Sequence, residues 1–477
     1  MTMSVDKTST ESKGHTKIQW ALTFLSNLTN LTYGLQCGWI SPVTKLLQSD
    51  HSPTGRPLTD SEISWIASAP SLAGVLGVIF FVPLVERFGR KPGILVLIVL
   101  QALTWILKMF PSSMVTLILA RVACGMAGAG CFHVVPMYIK EIAQDSIRGT
   151  LLSIFVLAQS AGIFIIYTLG GYLDYYTVLW IVGGIPILAF GLFLKAPESP
   201  AHLVKEGKIE ETAKTLAFLR GMDVDDKQIQ SEVDAIKKDD DYFKSIPNVS
   251  MITVCKTKAW RKAFTIMFLI VMMGASSGGF SILNYAATIL STSGVGMSPE
   301  LQSLSIPICM TIGSLFTFAT VDKLGRKPIL AAAHIFSSLA FFGIATTGLL
   351  QQQGWVTPGW LNVLMLMIVI CCYGGGITPI PFIVMPELFN FQIRAKLMGY
   401  LVMLAWFMAF LQLLAFSALT SNYGAHISFY MFTVINLLGA INTIVLLPET
   451  NGKTIEQLES KLNGKDISSK SEKSENP

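Results

Sequence analysis

Charge is scarce in this chain. Of 477 residues, 14% are Asp, Glu, Lys or Arg, where soluble domains carry roughly a quarter. That shortage argues against a soluble enzyme, a disordered chain and a nucleic-acid-binding protein. Cysteine is sparse too, with seven residues and no Cys-x-x-Cys, so a zinc site and a disulfide scaffold are not expected. The Gly-x4-Gly-Lys-Ser/Thr spacing of a nucleotide loop is missing, which leaves ATP-driven transport without support. No nucleophile–base constellation suggests catalysis, and no cofactor or metal is expected. No Asp or Glu lies deep inside an apolar run. What the chain has instead is hydrocarbon: 52% hydrophobic residues and a mean hydropathy of +0.55.

The hydrocarbon comes in runs long enough to cross a bilayer, which takes about 20 apolar residues as a helix. Twelve such runs lie near 18–40, 63–83, 94–110, 114–137, 150–173, 178–194, 263–290, 301–321, 329–350, 361–386, 397–420 and 428–447. Their uninterrupted length predicts helices, since barrel strands would be about ten residues long and alternating. The fold class is therefore an all-α membrane protein with twelve transmembrane helices. Residues before 18 lack a cleavable signal pattern, so the first helix is expected to act as its own insertion signal.

Orientation follows from Lys and Arg. With both termini cytosolic, 31 of the 35 fall in cytosolic segments, and only Lys45, Arg56, Lys108 and Arg121 do not. Basic residues concentrate on the cytosolic side of membrane proteins. The expected organisation is a cytosolic N-tail (1–17), a six-helix half (18–194), a cytosolic loop (195–262), a second six-helix half (263–447) and a cytosolic C-tail (448–477). Within the loop, Ile209, Ala213, Leu216 and Ala217, and then Ile229, Val233 and Ile236, recur at helical spacing. They predict short amphipathic helices under the bundle, with Asp239, Asp240 and Asp241 as a solvated linker.

The two halves repeat one another. VERFGRKP at 85–92 is matched by VDKLGRKP at 321–328. Glu141 and Arg148 are matched by Glu387 and Arg394, and Pro197-Glu198-Ser199 by Pro448-Glu449-Thr450. The offsets are 236, 246 and 251 residues. Three pairs in the same order imply duplication, and two pseudo-symmetric halves facing each other across a cavity are a transporter architecture.

Together, the paired GRK turns, PMYIKEIAQDSIRG, PESP, the Pro-Ile-Pro ahead of Pro-Glu-Leu-Phe and the terminal PETNGKT resemble the sugar porter family of the major facilitator superfamily. Among its members, the chain looks most like insect facilitated trehalose and glucose transporters. The resemblance covers about residues 20 to 460. It implies that Glu86, Arg87, Arg90, Glu141, Arg148, Glu198, Asp322, Arg326, Glu387, Arg394 and Glu449 form cytosolic gate charges. In the family these link helix ends when the cavity faces outward and break when it opens inward. As exposed ion pairs each would contribute about 0–1 kcal/mol. Arg121 is an intramembrane charge and so a functional candidate, with a structural Arg bonded to carbonyls as the alternative. His133 is expected to be a satisfied core histidine.

The sugar ring of the family is largely replaced. Its helix-seven Gln-Gln and Asn fall on Gly274, Ala275 and Phe280. Its helix-eight Asn falls on Met310, its helix-ten Glu and Trp on Gly374 and Phe382, and its helix-eleven Asn on Ala405. Its helix-five Gln falls on Val156, with Gln159 one turn on. Trp406 is kept and Tyr285 falls on a gating Tyr. Substrate-cavity candidates are therefore Gln36, Gln159, Ser281, Asn284, Tyr285, Thr378, Phe382 and Trp406, with Ser276, Ser277 and Gln412 as further replacements. Proton-coupled relatives carry an Asp two residues after a helix-one Gly. Here Gln36 follows Gly34, and a Gln cannot carry a proton, which favours uniport.

Gly374, Gly375 and Gly376, with Pro379 and Pro381, are expected to break helix ten. The Asn27, Asn30 and Asn248 glycosylation patterns lie in helix one or the cytosolic loop and are not expected to be used. The reading is facilitative transport of a small sugar such as trehalose or glucose across the plasma membrane. A porter of a less polar solute and a non-transporting nutrient sensor are the alternatives. The partners are that solute and the lipid bilayer, not nucleic acid.

Overall fold

The computed structural model describes residues 15–245, 251–291, 302–389, 391–453 and 455–463. Most of the N-tail, the Asn248 pattern and the end of the C-tail lie outside them. The described residues contain helices and no strand. The first half holds α1 (Lys17–Gly38), α2 (Ile40–Leu47), α3 (Asp60–Phe88), α4 (Arg90–Met109), α5 (Met114–Ile142), α6 (Asp145–Tyr172) and α7 (Tyr175–Phe193). Between the halves come α8 (Pro200–Lys205), α9 (Ile209–Arg220), α10 (Lys227–Ser245) and α11 (Met251–Lys256). The second half holds α12 (Lys258–Ala275), α13 (Gly279–Ser291), α14 (Ser305–Leu324), α15 (Arg326–Gln352) and α16 (Gly359–Cys372). It continues with α17 (Pro379–Leu388), α18 (Phe391–Tyr423) and α19 (Ala425–Leu446), and α20 (Ile455–Asn463) follows.

Eleven helical stretches are long and apolar enough to cross a membrane, counting α12 with α13 and α16 with α17 as one each. The twelfth, α1, has 22 residues and packs lengthwise against α6, α7 and α5. Its hydropathy is diluted by a polar face that is fully buried, including Thr23, Ser26, Asn27, Thr29, Asn30 and Gln36. Much of that polarity is satisfied within the helix. Ser26, Asn27 and Thr29 donate to the carbonyls of Thr23, Thr23 and Ser26, as short polar side chains do in lipid-embedded helices. Leu76, Ile79 and Leu188 point outward from the bundle, and lipid rather than water suits such a surface.

Two inter-half contacts carry the symmetry. The second spanning helix, α3, packs on the eleventh, α18, and the fifth, α6, packs on the eighth, α14. Exchanging the halves converts one contact into the other. The repeat seen in the sequence is therefore a spatial two-fold as well.

Two spanning helices are interrupted, one of them unexpectedly. The run 263–290 breaks at Ser276–Gly278, where Gly278 adopts φ +99°. Tyr285 within α13 is also non-helical, at φ −117° and ψ 21°. The triple glycine does interrupt the α-helix of helix ten, as expected. It forms a π turn, Tyr373–Ile377, that hands the chain on to α17 with Pro379 in its first turn, where a missing N–H costs nothing.

The loop helices need two corrections. Ala213, Leu216, Ile229 and Val233 form a small core of their own, but Ile209, at the solvent edge of α9, is exposed. Asp239, Asp240 and Asp241 are not a linker. They lie inside α10, where Asp240 pairs with Lys244 at 2.6 Å one turn on. Pairs at this spacing support an exposed helix.

Candidate functional site

The duplicated motifs build two matching clamps at one end of the bundle. Gly89 and Gly325 turn the chain with φ +100° and +89°, a conformation open to glycine. Each starts a helix, α4 or α15, whose first N–H groups need an acceptor. Glu198 accepts from the N–H of Arg90 at 2.9 Å and of Lys91 at 3.2 Å. Glu449 accepts from Arg326 at 3.0 Å and Lys327 at 3.1 Å. Burial pulls the Glu449 carboxyl up, but N–H donors from Asn451, Arg326, Lys327 and Thr450 outweigh it and hold the group below its ordinary value.

The side chains repeat the pattern. Arg90 meets Glu141 at 2.8 Å and Arg326 meets Glu387 at 2.9 Å. Glu141 also takes the hydroxyl of Ser199, and Glu387 that of Thr450. Arg148 donates to the carbonyl of Ala143, and Arg394 to that of Phe389, each five residues back. Asp322, well exposed, pairs with Arg326 at 3.1 Å. Glu86 and Arg87 are exposed, with the Arg87 guanidinium over the Phe88 ring.

These clamps correct the view of weak exposed pairs. Arg90 and Glu141 are 13% and 15% exposed, and breaking a pair that far from water costs more than a surface pair does. Each clamp also joins helices of a single half. As arranged here it ties helices of one half to each other and not one half to the other.

At the opposite end the two halves share one apolar core. It runs from Trp39, Ile40, Ile66 and Leu179 of the first half to Leu283, Tyr285, Phe341 and Phe416 of the second. Tyr167 donates to the carbonyl of Leu283 at 2.6 Å across the same boundary. At the clamped end the buried apolar clusters are separate. One is drawn from 254–462 and another from 22–219, with Trp406 packed on its edge. The bundle is thus closed at the far end and divided at the clamped end.

Between the halves lies a cavity of about 160 Å³. Of the candidate residues, Gln159, Thr378, Phe382 and Trp406 line it, together with Tyr33, Phe132, Phe280, Met310 and Tyr373. Trp406 meets Phe132 edge-on at 6.1 Å across the inter-half boundary. The Thr378 hydroxyl is buried without a hydrogen-bond partner among the described residues. Gln159 lines the cavity and makes no side-chain hydrogen bond among the described residues.

Several of the other polar candidates are engaged with backbone or with Arg121. Pro70 has no N–H, so the carbonyl of Ile66, four residues back, loses its helical donor. Arg121 supplies one, from Nε at 3.0 Å. Its Nη1 donates to the Gln36 carbonyl at 2.7 Å, just before α1 gives way to α2, and its Nη2 reaches Asn284 Oδ1 at 3.4 Å. The Gln36 side chain donates to the carbonyl of Gln101 rather than facing the cavity. Asn284 also donates to the Phe280 carbonyl. At the α12/α13 break, the Gln412 amide serves Ala275 O, Gly278 N and Ser281 Oγ. The hydroxyls of Ser276 and Ser277 are buried without partners among the described residues. Tyr285 lies in the far-end core, its ring 5.2 Å from Phe416.

His133 is not the satisfied core histidine that was expected. It is half-buried, without a side-chain hydrogen bond among the described residues. That description fits His334, fully buried with Nδ1 3.0 Å from Asn436 Oδ1. Sequence reasoning passed over Lys108. Its ammonium is fully buried without a hydrogen-bond partner among the described residues, 4.0 Å from the Trp39 ring and 4.4 Å from that of Trp105. A lone charge in an apolar run was the available signal.

Twelve helices in two exchangeable halves, with a cavity between them and a clamp on each, define a transporter of the major facilitator type. The chain belongs to the sugar (and other) transporter family, whose model matches residues 22–462. It is therefore a multi-pass membrane transporter and not an enzyme. Similar proteins include the facilitated trehalose transporters Tret1 of Anopheles gambiae and Bombyx mori. Both are 25% identical over 92% of this chain, which spans 55% of the first and 86% of the second. Similar solved structures include the xylose transporter XylE of E. coli in an inward open conformation. Its TM-score is 0.75 at 19% identity, covering 93% of this chain and 99% of that one. XylE bound to 6-bromo-6-deoxy-D-glucose scores 0.72 at 20% identity, covering 94% of this chain and 100% of that one. These likenesses establish the fold.

Proposed function

We propose that the protein carries a small sugar, such as trehalose or glucose, passively across the plasma membrane by alternating access. The observation that carries this reading is the cavity itself. It is walled by both halves, sealed at one end by their common core and flanked at the other by clamps that each tie helices of one half together. Rocking two halves about such a cavity exposes it to each side in turn. The similar Tret1 proteins are named as facilitated trehalose transporters, which supports a sugar as solute. The clamped end is cytosolic in this reading, as are both termini, because Lys and Arg concentrate there.

Uniport fits the interior. Its buried charges, Arg121 and Lys108, are basic, and Gln36 offers α1 no carboxylate. The test is uptake of labelled glucose and trehalose into proteoliposomes with and without a proton gradient. Saturable flux that ignores the gradient is expected. Flux that needs the gradient refutes uniport, and absence of flux for both sugars refutes them as substrates.

A further inference from the structure

The cavity has far more hydrocarbon than hydrogen-bonding capacity. Its lining includes the side chains of Phe280, Leu283, Met310, Phe382, Met385 and Val402, none of which can pair with a hydroxyl. Its polar side chains reduce to the Gln159 amide and the Thr378 hydroxyl, with the Trp406 indole and the Tyr33 and Tyr373 phenols as further donors. The polar side chains that could have enriched it are turned to backbone groups instead. Gln36 serves Gln101, Asn284 serves Phe280 and Arg121, and Gln412 serves the α12/α13 break.

A free sugar presents hydroxyls on every edge. Each one buried against carbon without a partner weakens binding by about tenfold. Conversely, an apolar group laid on those apolar side chains gains by leaving water. A solute with hydroxyls on one part and hydrocarbon on another matches a lining that is mostly apolar with a few hydrogen-bonding groups.

The geometry points to an amphipathic glycoside as the preferred solute: a sugar ring held by Gln159, Thr378 and Trp406, with an apolar aglycone against Phe280, Met310 and Phe382. This rests on the transport reading above and narrows its substrate class. Phe382, at 40% exposure, leaves room for the aglycone to extend beyond the enclosed part of the cavity.

The experiment uses full-length protein with D-glucose, trehalose, methyl β-D-glucoside and phenyl β-D-glucoside as probes. Binding is read from the quench of tryptophan fluorescence in detergent, and flux from labelled probes in proteoliposomes. Burying a phenyl ring is worth about ten- to a hundredfold. Phenyl glucoside should therefore half-saturate at a concentration at least tenfold below glucose, with methyl glucoside between them. Ala405→Asn and Phe382→Asn, made separately, should narrow that ratio, because each adds hydrogen-bonding capacity to the lining. Glucose or trehalose binding as tightly as phenyl glucoside overturns the inference and leaves the sugar-carrier reading standing. Binding with the expected order but no flux overturns the carrier reading and leaves the preference standing. Absence of binding by every probe overturns the inference.

Discussion

Arg121→Leu is expected to destabilise the protein by about 2–6 kcal/mol. The figure comes from the two carbonyls that Arg121 serves. Ile66 O is left without a helical donor by Pro70, and Gln36 O lies at the α1/α2 break; the guanidinium donates to them at 3.0 and 2.7 Å. Leucine leaves both acceptors buried and unpaired, at about 1–3 kcal/mol each. Removing a buried charge returns part of that cost, so the lower half of the range is the expected outcome. Asn284→Ala deletes the long 3.4 Å contact to Arg121 and the 2.9 Å bond to the Phe280 carbonyl but orphans neither of the two carbonyls that Arg121 serves, and should cost about 0.5–1.5 kcal/mol. Arg121→Lys, with one compact ammonium for two separated acceptors, should fall between. Thermal unfolding of the purified protein, followed by intrinsic fluorescence, ranks the three. An Arg121→Leu protein as stable as the parent would refute the argument that this charge holds the broken helices together.

Three further outcomes follow from the same structure. Glu449 sits below its ordinary value, so its folded pKa lies under its unfolded one of about 4.3. Its contribution is then complete above the unfolded pKa and is lost as pH falls through the folded one. Glu449→Gln should accordingly lower the melting temperature near neutral pH and flatten its decline in acid. Lys108→Met should leave stability unchanged or raise it, because an ammonium buried without a hydrogen-bond partner among the described residues is replaced by a side chain of similar length that needs none; a drop of several degrees would mean that the contacts to Trp39 and Trp105 outweigh desolvation. Gly313→Ala should cost about 1–3 kcal/mol and slow flux, since the new methyl falls on the Cys371 carbonyl where α14 crosses the start of the π turn; normal melting and normal flux would sink that packing argument.

Much of this molecule was legible before any coordinates. The apolar runs fixed spanning helices because lipid leaves the backbone no other way to satisfy itself. The GRK, Glu/Arg and Pro-Glu repeats announced two equivalent halves because duplicated residues were kept at duplicated positions. The triple glycine marked an irregularity in helix ten, though not that it would be a π turn. Asp239–Asp241 misled because charge runs on a helix's wet face look like a linker in sequence alone.

The division of labour among polar side chains was decided only by the fold. Gln36, Gln159, Ser281, Asn284 and Gln412 look alike along the chain, since each is an uncharged polar residue in an apolar helix. Which of them faces the cavity depends on where helices break and which neighbouring carbonyls lose their donors. Those breaks arise between segments far apart in sequence: Pro70 in α3 creates the acceptor that Arg121 in α5 fills, and Gln412 in α18 fills the gap between α12 and α13. Periodicity reports the environment of one helix at a time, whereas an orphaned carbonyl and its donor belong to two. Sequence determined the scaffold, its repeat and its place in the membrane. Tertiary packing decided that most of the interior polarity holds helices together and left the cavity to Gln159, Thr378 and a mostly apolar lining.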